Sequence, residues 1–582
     1  MSVLPKRNKS MKLQRTQVTV WPFVAGLLVL IVTIAAWARA QVGTNIGEDA
    51  RKFDSSPGVP IHPDQRLELA MKIKQPFTVV AVGDLLEFQP FSKIDDPDIQ
   101  YLVSIMRNAD LTIGDFEDEI YDFDNFGHAG GNLGTKEVAD DWANMGIKIV
   151  SRANNKDQTA PGIWEDFREI ERVGILHVGA AHTLPEARMA RYLELPKGLV
   201  GEIGIYAEGG ESECCTGGQI VHVTSRQLDE VRAMKDSILA RRGETEVPVD
   251  PPSPDPPNMV KVFGVTFVTG TETPNDAVRS PGRGRRPPSS LDGVNNSLGV
   301  TMFHGVTSEQ MSQLRAIAED SGTGSDLSAF GTQFRVMARP GEHSFDMNPQ
   351  DLKEILTQIK TGKEASEFLS TNTHWHQGRF DFAHNSFDHF PPDFEIKFAH
   401  AAIDEGDDLF VAQGVHTIKG VEIYKGKPIF YGVSNYVFQS GLMPIGKGSL
   451  PGGTHGPGPQ LVNGVQVGAS GCGRRGYPKD VAVDAIIGEH EIQGFCQLLP
   501  NLEALLAWTH YENGKLTEVR IYPVDLGQTS RATWEVGTPK RPAPAVAKKI
   551  LDEVIEYSKP FGTKIVVENG VGIIRIPPSE QQ

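Results

Sequence analysis

Acidic side chains follow two short apolar, β-rich runs in this sequence of 582 residues. Asp84 ends the run FTVVAVGD, and Asp115 and Glu117 end the run ADLTIGDFE. Side chains two positions apart on an extended chain point to the same side, so we expect Asp115 and Glu117 to face together. The carboxyl ends of strands in an α/β sheet are where ligands bind, which makes all three carboxylates candidate site residues.

Amide and imidazole side chains follow three further runs of the same kind. Asn155 ends IKIVSRANN, and His374 lies at the end of EFLSTNTHWH. His416 leaves a turn that follows the apolar run LFVA and precedes the strongly β-patterned segment GVEIYKGKPIFYGVSNYVF. We therefore expect a β-hairpin directly after this histidine.

Each of these signals is weak by itself, because Gly-Asp often marks a turn and Asn-Asn often caps a helix. Their combination is more specific. Divalent metal ions accept carboxylate oxygens, amide oxygens and imidazole nitrogens, and adjacent strand ends collect such donors from distant parts of a chain. The order Asp, Asp/Glu, Asn, His, His predicts a metal site of the kind found in binuclear metallophosphoesterases.

The same segments resemble the CapA family of capsule biosynthesis and poly-γ-glutamate synthesis proteins. The resemblance extends with gaps from about residue 77 to the C-terminus, and rests on VAVGDLL, NADLTIGDFE, VSRANNK, GILHVGA, NTHWHQG, YKGKPIFYGVSNYVF and SKPFGTKIVVENGVGIIRI. It implies an α/β fold, a calcineurin-like metallophosphoesterase sandwich of two mixed β-sheets flanked by helices, here with two irregular insertions.

The resemblance also implies a divalent metal site that holds Mn, Fe or Zn. The ligands it implies are Asp84, Asp115, Glu117, Asn155, His374 and His416. The catalytic residues that we predict are His374 and Lys156.

The sequence departs from the family pattern at two expected imidazoles, where it has Lys156 and Gln413. A protonated lysine is not a metal ligand, but its ammonium group is suited to hold an anionic group of a substrate. The amide oxygen of Gln413 and the imidazole of His376 are candidate replacements. With fewer imidazoles, a mononuclear or non-catalytic site is an open alternative.

The N-terminus predicts export. Six basic and no acidic side chains occur in residues 1–40, where the basic segment precedes an apolar run at residues 21–37 and the small-residue sequence ARA. We expect a signal peptide cleaved after Ala40, with an uncleaved membrane anchor as the alternative, and in both cases a periplasmic or extracellular body.

The acidic composition bears on possible partners. The whole chain has a formal charge of −17, and the part after residue 40 has −23. This charge excludes non-specific binding of nucleic acid. It is also unfavourable for a polyanion, whose binding requires a basic groove or bridging cations. Residues 283–286 and 474–475 are loop-borne arginine candidates for such a groove, with solvated charge as the alternative.

The site segments extend from Asp84 to His416 and must converge, so we predict one discontinuous domain of residues 76–445 and 478–582, preceded by a linker at 41–75. Residues 208–296 form a Pro/Gly/Arg-rich insertion that we expect to be partly disordered and to bury no core around its Pro- and Arg-rich stretches. Residues 446–477 form a Gly-rich loop, either a lid or a disordered excursion. With only four cysteines, disulfides do not hold the fold together, although a bridge between Cys472 and Cys496 is compatible with export.

Three functions remain open from the sequence. The first is an exported protein of capsule or poly-γ-glutamate biosynthesis or export, with membrane-associated synthesis machinery and an anionic polymer, poly-γ-glutamate or capsular polysaccharide, as partners. The second is a metal-dependent hydrolase that acts on a phosphoester or a γ-glutamyl polymer. The third is a binding module with a degenerate site.

Overall fold

In the computed structural model, all described residues except Glu68 belong to one unit, Leu69–Gln582. The described residues are 68–121, 133–155, 160–209, 219–240, 257–263, 265–269, 291–380, 389–439, 460–462, 465–467, 502–527, 535 and 537–577. The predicted export signal, Lys156, both arginine-rich loops and the four cysteines lie outside them. Within the described ranges, no helix has the length and apolar character needed to cross a membrane.

The first large sheet has nine strands in the described part of the chain. The strands are β1 (Phe77–Leu86), β2 (Leu111–Asp115), β5 (Ile149–Ser151), β6 (Leu176–Val178), β22 (Asn435–Phe438), β25 (Glu503–Glu512), β26 (Lys515–Asp525), β27 (Val566–Glu568) and β28 (Val571–Arg575). They lie in the order β27-β28-β26-β25-β1-β2-β5-β6, with β22 also paired to β1. Strands β1, β2, β5, β6 and β22 pair in parallel, and the others pair antiparallel, so the sheet is mixed.

The second large sheet has ten described strands. The strands are β8 (Arg191–Leu195), β9 (Gly198–Glu208), β14 (Ser297–Val306), β15 (Asp326–Ala329), β16 (Thr332–Val336), β17 (His343–Met347), β18 (Phe368–His374), β19 (Leu409–Gln413), β20 (Val421–Tyr424) and β21 (Lys427–Phe430). Their order is β15-β16-β14-β9-β18-β19-β21-β20, with β17 paired to β14 and β8 to β9. The predicted hairpin after His416 is present as β20 and β21, which pair antiparallel across Lys425 and Gly426.

Helices follow or connect these strands. They are α1 (Pro97–Arg107), α2 (Glu137–Met145), α3 (Ala160–Arg172), α4 (Leu184–Arg188), α5 (Ser225–Ala240), α6 (Ser308–Ala318), α7 (Pro349–Ala365), α8 (Asp393–Asp404) and α9 (Pro544–Ser558), with a 3-10 turn at Lys559–Phe561. Several begin at the residues that helix starts favour. Asp96 caps α1 and Asn348 caps α7 through side-chain oxygens, and each of these two helices has proline in its first turn.

Three apolar cores separate the layers. The faces that the two sheets turn towards each other share a core that includes Val79, Ile113, Phe368 and Val411. The other face of the first sheet packs against α1, α2 and α3, and the other face of the second sheet packs against α7 and α8. The central strands are therefore buried on both faces, which explains why they are continuous apolar runs in the sequence. The predicted α/β architecture of two mixed sheets flanked by helices is confirmed.

Part of the predicted insertion at residues 208–296 is folded. Strands β10 (Gln219–His222), β11 (Met259–Val262) and β12 (Val265–Val268) form a small sheet that shares a fourth core with α5, α6 and β16. Val231, Val260 and Phe267 of this core are fully buried. The expectation that the Pro- and Arg-rich stretches bury no core stays a prediction. The Pro- and Arg-rich stretches that motivated it lie almost entirely outside the described residues.

Three further strand pairs complete the described residues: β3 (Glu119–Tyr121) with β4 (Leu133–Thr135), β7 (Ala180–Ala181) with β13 (Val294–Asn295), and β23 (Gln460–Val462) with β24 (Val465–Val467). The last pair is the described part of the predicted Gly-rich loop. The predicted domain boundaries stay predictions.

Candidate metal centre

Asp84 lies in an irregular part of β1. The strand continues beyond it to Leu86, and its register against β2 shifts between Ala81 and Asp84. Such a bulge re-aims a side chain next to a site. Gly83 makes the arrangement possible, since a Cβ atom there would overlap the carbonyl oxygen of Ser434. Asp84 is fully buried.

Asp115 ends β2, and Glu117 follows in the next turn. The sequence predicted that strand alternation brings both to one face, but the strand stops at Asp115. The backbone N–H of Glu117 instead donates to the carbonyl oxygen of Asp115 at 3.1 Å. Both side chains are nonetheless buried beside the same histidine, His374.

His374 ends β18 and is fully buried between the carboxylates. Its Nδ1 lies 2.8 Å from Asp115 Oδ2 and 3.7 Å from Asp84 Oδ1. Its Nε2 lies on the other side of the ring, 3.9 Å from Glu117 Oε1 and 3.0 Å from His376 Nε2. Each ring nitrogen of His374 therefore faces a different group of potential ligands.

His416 follows β19 in the left-handed conformation, with φ of 56°. This conformation costs a non-glycine residue on the order of 1–3 kcal/mol and is concentrated at functional sites. It places Nδ1 3.1 Å from Asp84 Oδ2, 3.8 Å from Glu117 Oε2 and 2.5 Å from Asn435 Oδ1. Gly414, with φ of 102°, directs its N–H towards Asp84 Oδ2 at 3.4 Å.

Asn155 and His376 form the exposed edge of the cluster. Asn155 lies in a loop four residues beyond the end of β5, and its Nδ2 is 3.4 Å from His376 Nε2. Buried polar contacts of Arg152 support this loop. Arg152 forms an ion pair with Asp166 at 3.0 Å and donates to Asn154 Oδ1 at 2.7 Å.

The electrostatic environment of the cluster is dominated by carboxylates buried together. Burial raises the pKa of Asp115 to about 7, an effect that His374 opposes and Asp84 and Glu117 increase. Burial by itself lowers the pKa of His374, but Asp115, Glu117 and Asp84 outweigh it and raise that pKa to about 9. The pKa of His416 is likewise raised, because Glu117 and Asp84 outweigh its burial. The site therefore attracts positive charge strongly.

The donors present fit a divalent cation. Three groups each bring their ligand atoms within 4.8 Å of one another: Asp84–Asp115–His374, Asp84–Glu117–His416 and Glu117–His374–His376. Asp84 Oδ1 and Asp115 Oδ1 are buried and have no hydrogen-bond partner in the described part of the protein. Such orphaned acceptors are costly unless a cation or proton satisfies them. The buried His/Asp/Glu cluster can therefore bind metal and is consistent with a metallophosphatase-like fold.

Comparison with known families identifies the chain. The sequence model of the family described as "Bacterial capsule synthesis protein PGA_cap" matches residues 78–245 and 293–440, which is more than half of the chain. This protein belongs to the PGA_cap family. The predicted membership of the CapA capsule synthesis family is confirmed, and the matched residues include every predicted ligand.

Relatives of this PGA_cap protein are bacterial. Two proteins of Sinorhizobium fredii (strain NBRC 101917 / NGR234), the uncharacterized proteins y4sH and y4uA, are each 26% identical over 519 residues, covering 87% of this chain and 95% of their own length. The PGA biosynthesis protein CapA of Bacillus subtilis (strain 168) is 29% identical over 93 residues, which is 16% of this chain and 22% of the relative. The capsule biosynthesis protein CapA of Bacillus anthracis is 30% identical over 104 residues, or 18% of this chain and 23% of the relative.

The structure of this PGA_cap protein brings most of the predicted site residues together. Asp84, Asp115, Glu117, His374 and His416 form the buried cluster, with Asn155 at its edge. Their roles as metal ligands, and the catalytic role of His374, stay predictions. The catalytic prediction for Lys156 lies outside the described residues.

Two histidines of the segment GILHVGAAH, His177 and His182, pack against a helix. His177 stacks on Phe167 and lies 2.9 Å from Glu171, and His182 stacks on Trp164. Both therefore contact α3.

One buried residue of the site was missed by the sequence analysis. Asn435 begins β22, is paired in register with Asp84, and lies beside His416. The sequence signal that could have found it is an asparagine at the start of the apolar run NYVF. In the structure, Ser434 directly before Asn435 adopts φ of 62°. A strained residue before a buried amide is typical of a functional site.

Gln413, considered as a replacement ligand, is held by a neighbour. Its amide Nε2 donates to Asn372 Oδ1, and Asn372 in turn donates to the carbonyl oxygen of Gly114 at 3.2 Å. The Gln413 side chain thus belongs to a buried polar network that joins β18, β19 and β2.

Proposed function

We propose that this chain is an exported protein of capsule or poly-γ-glutamate biosynthesis or export, with a calcineurin-like fold and a metallophosphatase-type site for one or two divalent ions, Mn, Fe or Zn. Family membership supports the assignment to capsule synthesis. The site geometry supports the metal.

One observation carries the proposal. Buried carboxylates from the first sheet and imidazoles from the second meet at 2.8–3.9 Å, while two carboxylate oxygens among them have no hydrogen-bond partner in the described residues. Asp84 and Asp115 place carboxylate oxygens within 4.8 Å of one another. Carboxylates buried this closely repel one another, and a divalent cation removes that repulsion. The proposed ligands are Asp84, Asp115, Glu117, Asn155, His374 and His416.

The chemistry that such an ion supplies is a lowered pKa of a bound water and neutralisation of charge on a phosphoryl or carbonyl oxygen. The residues of the chain provide the rest. Buried Asp84 and Glu117 hold the positive charge in place, and Asp115 orients His374 through Nδ1. The half-exposed edge at His376 and Asn155 is the side from which an anionic substrate group reaches the cluster.

Location and partners are part of the same proposal. The basic and apolar N-terminal segment favours a body outside the cytoplasm, either released by cleavage after Ala40 or anchored by that segment. There it acts beside membrane-associated synthesis machinery on an anionic polymer, poly-γ-glutamate or capsular polysaccharide.

A second candidate is a metal-dependent hydrolase of phosphoesters or γ-glutamyl polymers. The observation in its favour is that Glu117 belongs to two of the three ligand groups, one with His416 and one with His376. Two cation positions that share a carboxylate can hold both the attacking and the leaving oxygen of a displacement.

The test is metal content by elemental analysis of the purified full chain, compared between wild type, Asp84→Ala and the control Asp229→Ala on the exposed face of α5. We expect one or two equivalents in wild type and in Asp229→Ala, and at least one equivalent fewer in Asp84→Ala. Absence of metal from wild type after reloading refutes the metal site and favours the third candidate, a binding module with a degenerate site. Hydrolysis of bis(p-nitrophenyl) phosphate or poly-γ-glutamate by wild type, and not by Asp84→Ala, selects the hydrolase.

A further inference from the structure

We propose that His376 is a metal ligand, and that it forms a second cation position with Glu117 and Nε2 of His374. This inference rests on the proposed metal site and deepens it. The first position, around Asp84, Glu117 Oε2 and His416, lies deeper in the protein.

The hydrogen bond of His374 determines which of its nitrogens is available. A neutral imidazole has one N–H donor and one acceptor nitrogen. Nδ1 lies 2.8 Å from Asp115 Oδ2, so the proton sits on Nδ1 and the lone pair of Nε2 points away from Asp115. A carboxylate that orients a histidine in this way is the usual partner of a metal-binding imidazole.

The lone pair of Nε2 points to a place that two other donors share. His376 Nε2 lies 3.0 Å from His374 Nε2, and Glu117 Oε1 lies 3.9 Å from the same nitrogen. Two donors that bind one cation at about 2.0–2.2 Å each lie no more than about 4 Å apart. The ligand atoms of Glu117, His374 and His376 all lie within 4.8 Å of one another, so a single ion placed between them can reach all three.

Glu117 connects this place to the first position. Its Oε1 faces His374, while its Oε2 faces His416 at 3.8 Å. A carboxylate with one oxygen towards each group of donors is arranged as a bridge between two cations.

The two positions differ in exposure. Asp84 and His416 of the first position are at most 4% exposed, whereas His376 of the second position is half-buried and Asn155 beside it is exposed. An ion at the second position is closer to solvent and exchanges faster than one at the first. We therefore expect the second position to bind more weakly and to be the one that a substrate anion reaches.

The first test counts bound Mn²⁺ by titration of the metal-free full chain. The variants are His376→Ala and the control His400→Ala, which removes a half-exposed imidazole of α8 that pairs with Glu422. We expect wild type and His400→Ala to bind two ions and His376→Ala to bind one. If wild type binds only one ion and His376→Ala keeps it, that ion belongs to the first position and the second position is refuted.

Retention of every wild-type equivalent with unchanged Kd in His376→Ala overturns the inference and leaves the proposed function intact. A wild type that binds no ion overturns both.

The second test reads ligation directly. His376→Cys places a thiol at the same position, and a thiolate bound to Co²⁺ gives an intense charge-transfer absorption in the near ultraviolet. We expect this band in the Co²⁺-loaded His376→Cys protein and not in His400→Cys, which has the same number of cysteines. Its absence from His376→Cys with Co²⁺ bound contradicts the inference.

Discussion

His374 is the side chain through which the two sheets make a charged contact. It comes from the second sheet and inserts between carboxylates of the first, and both of its nitrogens are engaged there. In the metal-free protein its raised pKa makes it the counter-ion of Asp115. A bound cation takes over that role and displaces the proton, so metal binding and protonation compete at this residue.

This competition predicts a pH dependence of stability. The pKa of His374 is raised to about 9, above its usual value of about 6.5, so its stabilising contribution is complete below about pH 6.5 and is lost as the pH rises through about 9. The contribution is on the order of 3 kcal/mol, since each pKa unit corresponds to about 1.4 kcal/mol. We expect the urea midpoint of the metal-free protein to fall between pH 6.5 and 9, and the fall to be much smaller in His374→Gln. Parallel curves for the two proteins would show that His374 is not protonated in the cluster.

The close packing of β1 against the segment before β22 positions Asp84. Strand β1 passes so close to Ser434 that only glycine fits at position 83, and β22 then continues in parallel register with Asp84 opposite Asn435. His416 and Ser434 are both in the left-handed conformation on either side of the hairpin β20–β21. The packing of the hairpin against β1 must compensate for that strain.

Gly83→Ala therefore tests the close contact between β1 and Ser434. The added methyl group meets backbone atoms, which cannot rotate away, so β1 and β22 must separate. Overpacking of this kind costs about 1–3 kcal/mol or more, and we expect a loss of at least about 3 kcal/mol in the free energy of unfolding, together with reduced metal content. The control is Gly324→Ala, where the added methyl group meets no atom closer than 4.0 Å. A Gly83→Ala protein with wild-type stability and metal content would mean that the strands tolerate the separation.

The acidic charge of the complete chain constrains how it meets its proposed partner. At a formal charge of −17, the protein repels an anionic polymer over distances of roughly a Debye length, about 8–10 Å in physiological salt. A divalent cation bound at the proposed site then supplies positive charge that attracts the polymer. Binding of poly-γ-glutamate by this protein is thus expected to depend on the metal.

The expected result is a Kd for poly-γ-glutamate at least about tenfold lower in the Mn²⁺-loaded protein than in the EDTA-treated protein, since tenfold corresponds to only about 1.4 kcal/mol. Calorimetry of the full chain measures both, and uncharged dextran of similar length is the control polymer. Equal affinity with and without metal would locate polymer binding on another surface.

The elements of the fold were largely predictable from local pattern. The strands FTVVAVGD and EFLSTNTHWH and the hairpin after His416 all occur where apolar periodicity and turn residues predict them. Strand ends were less accurate. Asp84 lies two residues before the end of β1, while Glu117 and Asn155 lie beyond their strands, because a bulge and two turns are set by contacts with distant segments.

The sequence by itself determined the types of donor in this site and their order along the chain, since residue chemistry and apolar pattern are local properties. The tertiary structure decided which donors meet. It placed Asn435 opposite Asp84, turned one nitrogen of His374 to Asp115 and the other to His376, and tied Gln413 to Asn372. These relations depend on strand register, on the packing of two sheets and on rotamers fixed by burial. Two of them, Asp84 with Asn435 and Asp115 with His374, join residues more than 250 positions apart.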